Sequence, residues 1–246
     1  MTQPRVEVKP ATLPSQEGTG HQRRRWLRRF SAVELLIAIV LLIVVSPFVG
    51  QLPGGASIDA VLMTVVLLSA VLAIGERVRT LRLAALLVAP AVVARWLHHF
   101  RPDLVPQEVY LIAALGFIAF VVVRLLRFVL RASLVNAEVL CAGIVIFLML
   151  GMIWAFAYAI VAAFDPGAFA FASDTSSDRT MEGFTAFYFS FMTLSGAGVG
   201  DITPVSRVVR MLTAVESMLG LFYVAVLVAR LVSLYCAPNS STTQRE

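Results

Sequence analysis

The chain has 246 residues, of which 59% are hydrophobic and only 14% charged, with a formal net charge of +5 and 15 glycines. A mean hydropathy of +0.86 excludes an ordinary water-soluble domain and places the chain in the membrane class. The isoelectric point near 9.8 is then a statement about topology, not about nucleic acid, which is not an expected partner.

Residues 1–30 read as a disordered, basic cytoplasmic N-terminus: 1–20 are polar, and His21 to Phe30 hold Arg23, Arg24, Arg25, Arg28 and Arg29 directly before an apolar run. The arginine cluster reads as a positive-inside anchor or as a docking patch for anionic lipid. The apolar run lacks a small-residue cleavage site, so it is expected to stay as a helix, not to be removed as a signal peptide. The first spanning helix is predicted over 31–49, close to the length that a ~30 Å hydrocarbon core requires. A turn follows at 51–55 and a second helix at 58–74; a basic loop at 75–82 leads to a third, 83–97, which passes Pro90. His98 and His99 are expected in the next loop as a solvated or interfacial pair, because no carboxylate or cysteine completes a metal set. The fourth helix, 108–132, has no charge between Tyr110 and Val123, while Arg124, Arg127 and Arg131 gather on one face at its end. That pattern suits an anchor and linker better than a voltage sensor, which places arginines through the membrane field. Residues 31–132 therefore form a four-helix peripheral transmembrane domain.

The fifth helix, Ala137 to Phe164, stops at Asp165, Pro166 and Gly167, and the loop beyond it is net acidic. A short aromatic helix over 181–194 runs into Ser195, Gly196, Ala197, Gly198, Val199 and Gly200, with glycine at every second position. The sixth spanning helix occupies 205–234, and 237–246 are a short cytoplasmic tail. Irregular backbone at membrane depth is tolerated only where protein buries it or where it lines a water-filled cavity. Alternating glycines let carbonyls turn to a common axis, and a ring of carbonyls replaces a cation's hydration shell. Basic clusters at the N-terminus, after the second helix and after the fourth all fall on one side. Six spans then put both termini in the cytoplasm and the glycine loop outside, in a cell (inner) membrane. Cys141 and Cys236 are expected as free thiols.

Phe189-Ser190-Phe191-Met192-Thr193-Leu194 followed by Gly198-Val199-Gly200-Asp201-Ile202-Thr203-Pro204 resembles the pore helix, filter and outer turn of prokaryotic six-transmembrane-helix tetrameric potassium channels. Leu150 to Tyr158 and Ala214 to Gly220 resemble that family's outer and inner pore helices, so the likeness covers about 135–236, within a pore domain of 133–236. It implies an all-α membrane protein with six transmembrane helices plus a re-entrant pore helix and filter loop, assembled as a homotetramer. The family's filter reads Thr-Val-Gly-Tyr-Gly. Here Gly196 stands for the Thr, Ala197 for the Val and Val199 for the Tyr, whereas Gly198 and Gly200 match. The carbonyls of Gly196, Ala197, Gly198 and Val199 are the expected ligands of a permeant monovalent cation, K+ and also Na+; no other cofactor is expected. Asp201 is expected at the outer mouth, as a field-focusing charge or as a brace for the pore helix. Thr193 and Glu216 are assigned to filter support, with hydroxyls or amides near Thr193 or Ser195 as partners for Glu216. By the resemblance Gly220 is an inner-helix hinge; close helix packing is the alternative.

The function expected is passive monovalent-cation conduction with reduced K+ selectivity and weak or no voltage sensing. A non-conducting sensor or scaffold with a collapsed filter, and a secondary cation transporter, are the alternatives. An enzyme is not expected, since no catalytic constellation forms from His21, His98 and His99 or from any Ser/His/Asp set.

Overall fold

The structure is a computed structural model that describes residues 18–49, 54–74, 78–101, 106–132, 137–172 and 180–235. The described residues form seven helices and one small β-ribbon: α1 (Gly18–Val49), α2 (Gly55–Ile74), α3 (Val78–Phe100), α4 (Gln107–Arg131), α5 (Ala137–Phe164), β1 (Phe169–Phe171), α6 (Gly183–Leu194), β2 (Ile202–Pro204) and α7 (Arg207–Tyr235). Five of these helices carry stretches long and apolar enough to cross a membrane, in α1, α3, α4, α5 and α7; the apolar stretch of α2, Ser57–Ala73, is shorter.

Three sequence expectations change. Helix α1 begins at Gly18, so residues 18–30 are helical and not disordered; residues 1–17 lie outside the described residues. Helix α3 runs to Phe100, which puts His98 and His99 in its last turn instead of a loop. Their ring contacts explain the extra turn: His98 packs on Tyr110, and His99 lies within hydrogen-bond distance of Ser57 Oγ (3.0 Å). The all-α reading also lacks the β-ribbon, where Phe169 pairs with Pro204, Ala170 with Thr203 and Phe171 with Ile202, antiparallel. The acidic residues Asp174 and Asp178, Cys236 and the tail 237–246 lie outside the described residues, whereas Cys141 is a free thiol in α5.

Helices α1 to α4 pack in sequence order, each on the next, and α1 and α4 both close onto α5. An ionic tie holds the ends of this bundle. Arg95 of α3 donates to Asp59 of α2 at 2.6 Å, and its guanidinium lies 4.9 Å from the ring centre of Tyr110 on α4. Charges inside apolar spans pair with one another or with aromatic faces because lipid offers no alternative partner. At the next residue Trp96 Nε1 donates to Thr64 Oγ1 (3.2 Å), so two successive residues of α3 fasten it to α2.

The core is centred on α5, which buries Val145, Ile146, Met149, Met152 and Tyr158 almost completely. Helix α7 contrasts with it. Among its described residues three are buried, Val209, Glu216 and Gly220, and spacings of seven and four put them on one narrow stripe. That stripe meets α5 and α6, and most of the remaining surface of α7 is exposed or only half-buried.

Candidate functional site

Helix α6 has 12 residues and is roughly 18 Å long, too short to span a bilayer. It dips between α5 and α7 and ends in an irregular loop. The Ser195 amide still makes a helical bond to the Phe191 carbonyl (3.0 Å). Beyond it the backbone unwinds: the amides of Ala197 and Gly198 both donate to the Met192 carbonyl, at 3.0 and 3.3 Å. Gly196, Gly198 and Gly200 have φ of 74°, 55° and 85°, and among the described residues no non-glycine has a positive φ, so the sign alternates along the loop. This left-handed region is open to glycine and costly for residues with a Cβ, which is the physical reason for glycine at every second position. All six residues from Ser195 to Gly200 are exposed in the single subunit. The C-terminal end of α6, where the helix dipole is negative, abuts this loop and favours a cation there.

Glu216 reaches the back of α6 from α7 and has no exposed surface. Its Oε2 accepts a hydrogen bond from the Tyr158 hydroxyl (2.5 Å), and the Ser190 hydroxyl stands 2.6 Å from its Oε1. Ser190 is also 2.8 Å from the Gly151 carbonyl, so one hydroxyl proton serves two acceptors. These partners replace those expected from the sequence: Glu216 bonds neither Thr193 nor Ser195. Thr193 spends its hydroxyl on the Phe189 carbonyl (2.8 Å) and Ser195 on the Met192 carbonyl (3.2 Å), while the Thr193 carbonyl accepts from Ser217 (3.2 Å). The carboxylate thus ties three elements, α5, α6 and α7, behind the loop. A buried polar group of this kind is stable only when its hydrogen bonds are made. The ring of Tyr158 meets Phe169 and Phe189 edge-on, with centroids 5.8 and 5.0 Å away, so the same residue also joins β1 to α6.

At the outer end Asp201 Oδ1 accepts from the Ile202 amide (3.0 Å), and the carboxylate also takes the Tyr188 hydroxyl of α6. The Asp201 carbonyl accepts from the Ala172 amide (2.8 Å), and the Ala168 carbonyl takes the amides of Val205 and Ser206. The β-ribbon and these bonds secure the exit of the loop to the segment that follows α5.

A Cβ on Gly220 would stand 1.9 Å from the Leu194 carbonyl oxygen. Close approach of α7 to the end of α6 therefore requires glycine there, and α7 runs as one helix through this position. Further down α7, Tyr223 donates to the Gly143 carbonyl of α5 (2.6 Å), and Arg230 donates to the carbonyls of Leu130 and Ala132 at the end of α4 (3.2 and 3.0 Å).

The structure thus brings Glu216, Gly220, Thr193 and Asp201 to the loop from behind and outside. It adds Tyr158 and Ser190, which sequence reasoning left unassigned; the signal was a hydroxyl inside an otherwise apolar helix. Two aromatic rings of α6 are engaged away from the loop: Phe187 packs with Phe156 of α5, and the Phe191 ring occupies the space where a Gly151 side chain would be. Val199 is 60% exposed.

The fold and this site define a helical membrane protein in which the short apolar helix α6 and a glycine loop lie between two long apolar helices. Residues 137–236, about two fifths of the chain, match a family model described as an ion channel. Neither the curated proteins nor the solved structures contain a match to this chain.

Proposed function

We propose that this chain is one subunit of a homotetrameric cation channel of the potassium-channel kind. Residues 195–200 would line its axis, and six membrane spans would leave both termini in the cytoplasm. The observation that carries the reading is the loop itself: exposed backbone with φ alternating in sign, held rigidly on its hidden side by Glu216 and Gly220 and on its exit by the β-ribbon. A single loop cannot encircle an ion. Four copies around an axis can, and cyclic closure is the ordinary way to supply them. The nearly uncovered face of α7, with Met211, Met218, Leu221 and Phe222 each more than half exposed, supports burial against neighbouring subunits.

The carbonyls of Gly196, Ala197, Gly198 and Val199 hold the permeant monovalent cation in this reading. Gly196 supplies no hydroxyl, so the innermost ion position has fewer ligands than a threonine filter provides. Val199 takes little support from the aromatic side chains of α6. Discrimination depends on the number, field strength and spacing of the carbonyls, and a softer ring with fewer ligands discriminates less. Potassium over sodium selectivity is therefore reduced. Voltage dependence is weak, because the charges of α4 sit at its end and not across the membrane field.

Purified protein in planar bilayers tests the reading through reversal potentials under opposed potassium and sodium gradients. Currents with modest potassium preference are the expected result. Strong potassium selectivity overturns the selectivity claim; anion currents, or a monomer by mass in solution, overturn the channel reading. Restoring family residues sharpens it. Ala197→Val with Val199→Tyr sits at negative φ and should raise selectivity. Adding Gly196→Thr puts a β-branched residue at φ 74°, costing about 1–2 kcal/mol.

A further inference from the structure

At the N-terminal end of α5, roughly 20 Å along the helix from Gly151, where α6 packs, a cavity of roughly 380 Å³ opens where α1, α2, α4 and α5 meet. Its rim carries Arg124, Arg127 and Arg131 from the last turns of α4, with Glu138 of α5 as the single carboxylate. Its wall is apolar: Leu125 and Phe128 from α4, and the small side chains Ala32, Ala73 and Ala142 from the three other helices. Arg124 reaches the Thr80 hydroxyl at 3.5 Å, and among the described residues neither Arg127 nor Arg131 is in an ion pair. Three guanidinium groups against one carboxylate leave an excess of positive charge around a concave, half-apolar chamber at the end of a transmembrane bundle.

From this arrangement we infer that the cavity is a binding site for the headgroup of an anionic phospholipid. Guanidinium groups clamp phosphate oxygens through paired N–H donors, and basic pockets between transmembrane helices on the cytoplasmic side hold anionic headgroups. The alanines leave the room that larger side chains would fill. The leucine and phenylalanine offer a surface to the glycerol and upper acyl region, which a soluble anion would leave uncovered. The occupant is therefore a lipid, wedged at the seam between the peripheral bundle and α5. Glu138 opposes it electrostatically and limits affinity. Binding requires only this cavity, so it stands or falls separately from the conduction reading.

Native mass spectrometry of the full chain tests this, using phosphatidylglycerol and phosphatidylcholine of identical acyl chains as probes and inorganic phosphate as competitor. Phosphatidylglycerol should be retained preferentially, each arginine contributing roughly fivefold. The combined Arg124→Gln, Arg127→Gln and Arg131→Gln variant should bring the two lipids to near parity. Glu138→Gln should raise phosphatidylglycerol retention several-fold, a gain that a misfolded protein cannot mimic and that decides the matter if the triple variant does not fold. Replacing the five arginines between 23 and 29 by glutamine should leave the effect of Glu138→Gln in place. Equal retention of both lipids by the native chain, an unchanged preference in the triple variant, no gain from Glu138→Gln, or displacement by inorganic phosphate overturns the proposal.

Discussion

Helices α5 and α7 are nearly equal in length, 28 and 29 residues, and both are rich in apolar side chains. Yet 56% of the α5 span is buried within the subunit against 11% of the α7 span. Helix α5 is held by area: it meets α1, α4, α6 and α7 and fills the centre of the core. Helix α7 is held by points, each polar or close-packed: Glu216 on Tyr158 and Ser190, Ser217 on the Thr193 carbonyl, Gly220 on Leu194, Tyr223 on Gly143, Arg230 on the end of α4. Hydrophobicity alone does not bring helices together in lipid, so small residues and hydrogen bonds must do it. The two helices show both solutions in one subunit, and of the two it is α7 that leaves most of its apolar surface uncovered.

The point contact with the least room should break the comparison most severely. Gly220→Val places side-chain atoms inside the Leu194 carbonyl, where backbone and not a side-chain tip must give way. Loss of the assembled protein in size-exclusion chromatography is the expected outcome; a variant assembling normally would show that α7 does not need this approach. Next comes Glu216→Ala, which leaves the Tyr158 and Ser190 hydroxyls without their acceptor and opens a void, for about 3 kcal/mol. Thermal unfolding in detergent should show that loss, with Glu216→Gln retaining more than half of it.

A paired measurement separates area from points. Met149→Ala in α5 should cost about 2 kcal/mol of subunit stability. Phe222→Asn in α7, at a side chain 62% exposed, should instead shift the oligomer towards smaller species with little change in subunit unfolding. Equal effects of the two on the unfolding midpoint would erase the distinction. Tyr223→Phe is the smallest change: it removes one hydrogen bond to the Gly143 carbonyl and should lower stability by about 1 kcal/mol.

The long helices were legible because a run of apolar residues has one solution in a bilayer, and α5 has the bounds its sequence predicts, Ala137 to Phe164. The end of α3 was not: His98 and His99 look like loop residues until Ser57 and Tyr110, which lie far off in sequence, give them partners. The β-ribbon was hidden for the same reason. Phe169 to Phe171 and Ile202 to Pro204 are three-residue strands with too little alternation to announce themselves, and they pair across about thirty residues. Glu216 was identifiable as a buried acid by its depth in α7, but its partners lie 26 and 58 positions away, and only folding selects Ser190 and Tyr158 over the nearer hydroxyls of Thr193 and Ser195. Asp59 and Arg95 carried an unread signal: an acid early in one span and a base late in the next meet on the same side of a hairpin.

The loop is fastened unevenly, and this has a consequence in time. The amides of Ala197 and Gly198 are both spoken for by the Met192 carbonyl, and Asp201 is fixed by Ile202, Tyr188 and Ala172. Between these anchorages the amides of Val199 and Gly200 make no hydrogen bond within the subunit, among the described residues. Local opening begins where backbone protection is least. In deuterated solvent Val199 and Gly200 should therefore exchange first and Ala197 and Gly198 later, so that the outer half of the loop relaxes on a faster clock than the half nearest α6.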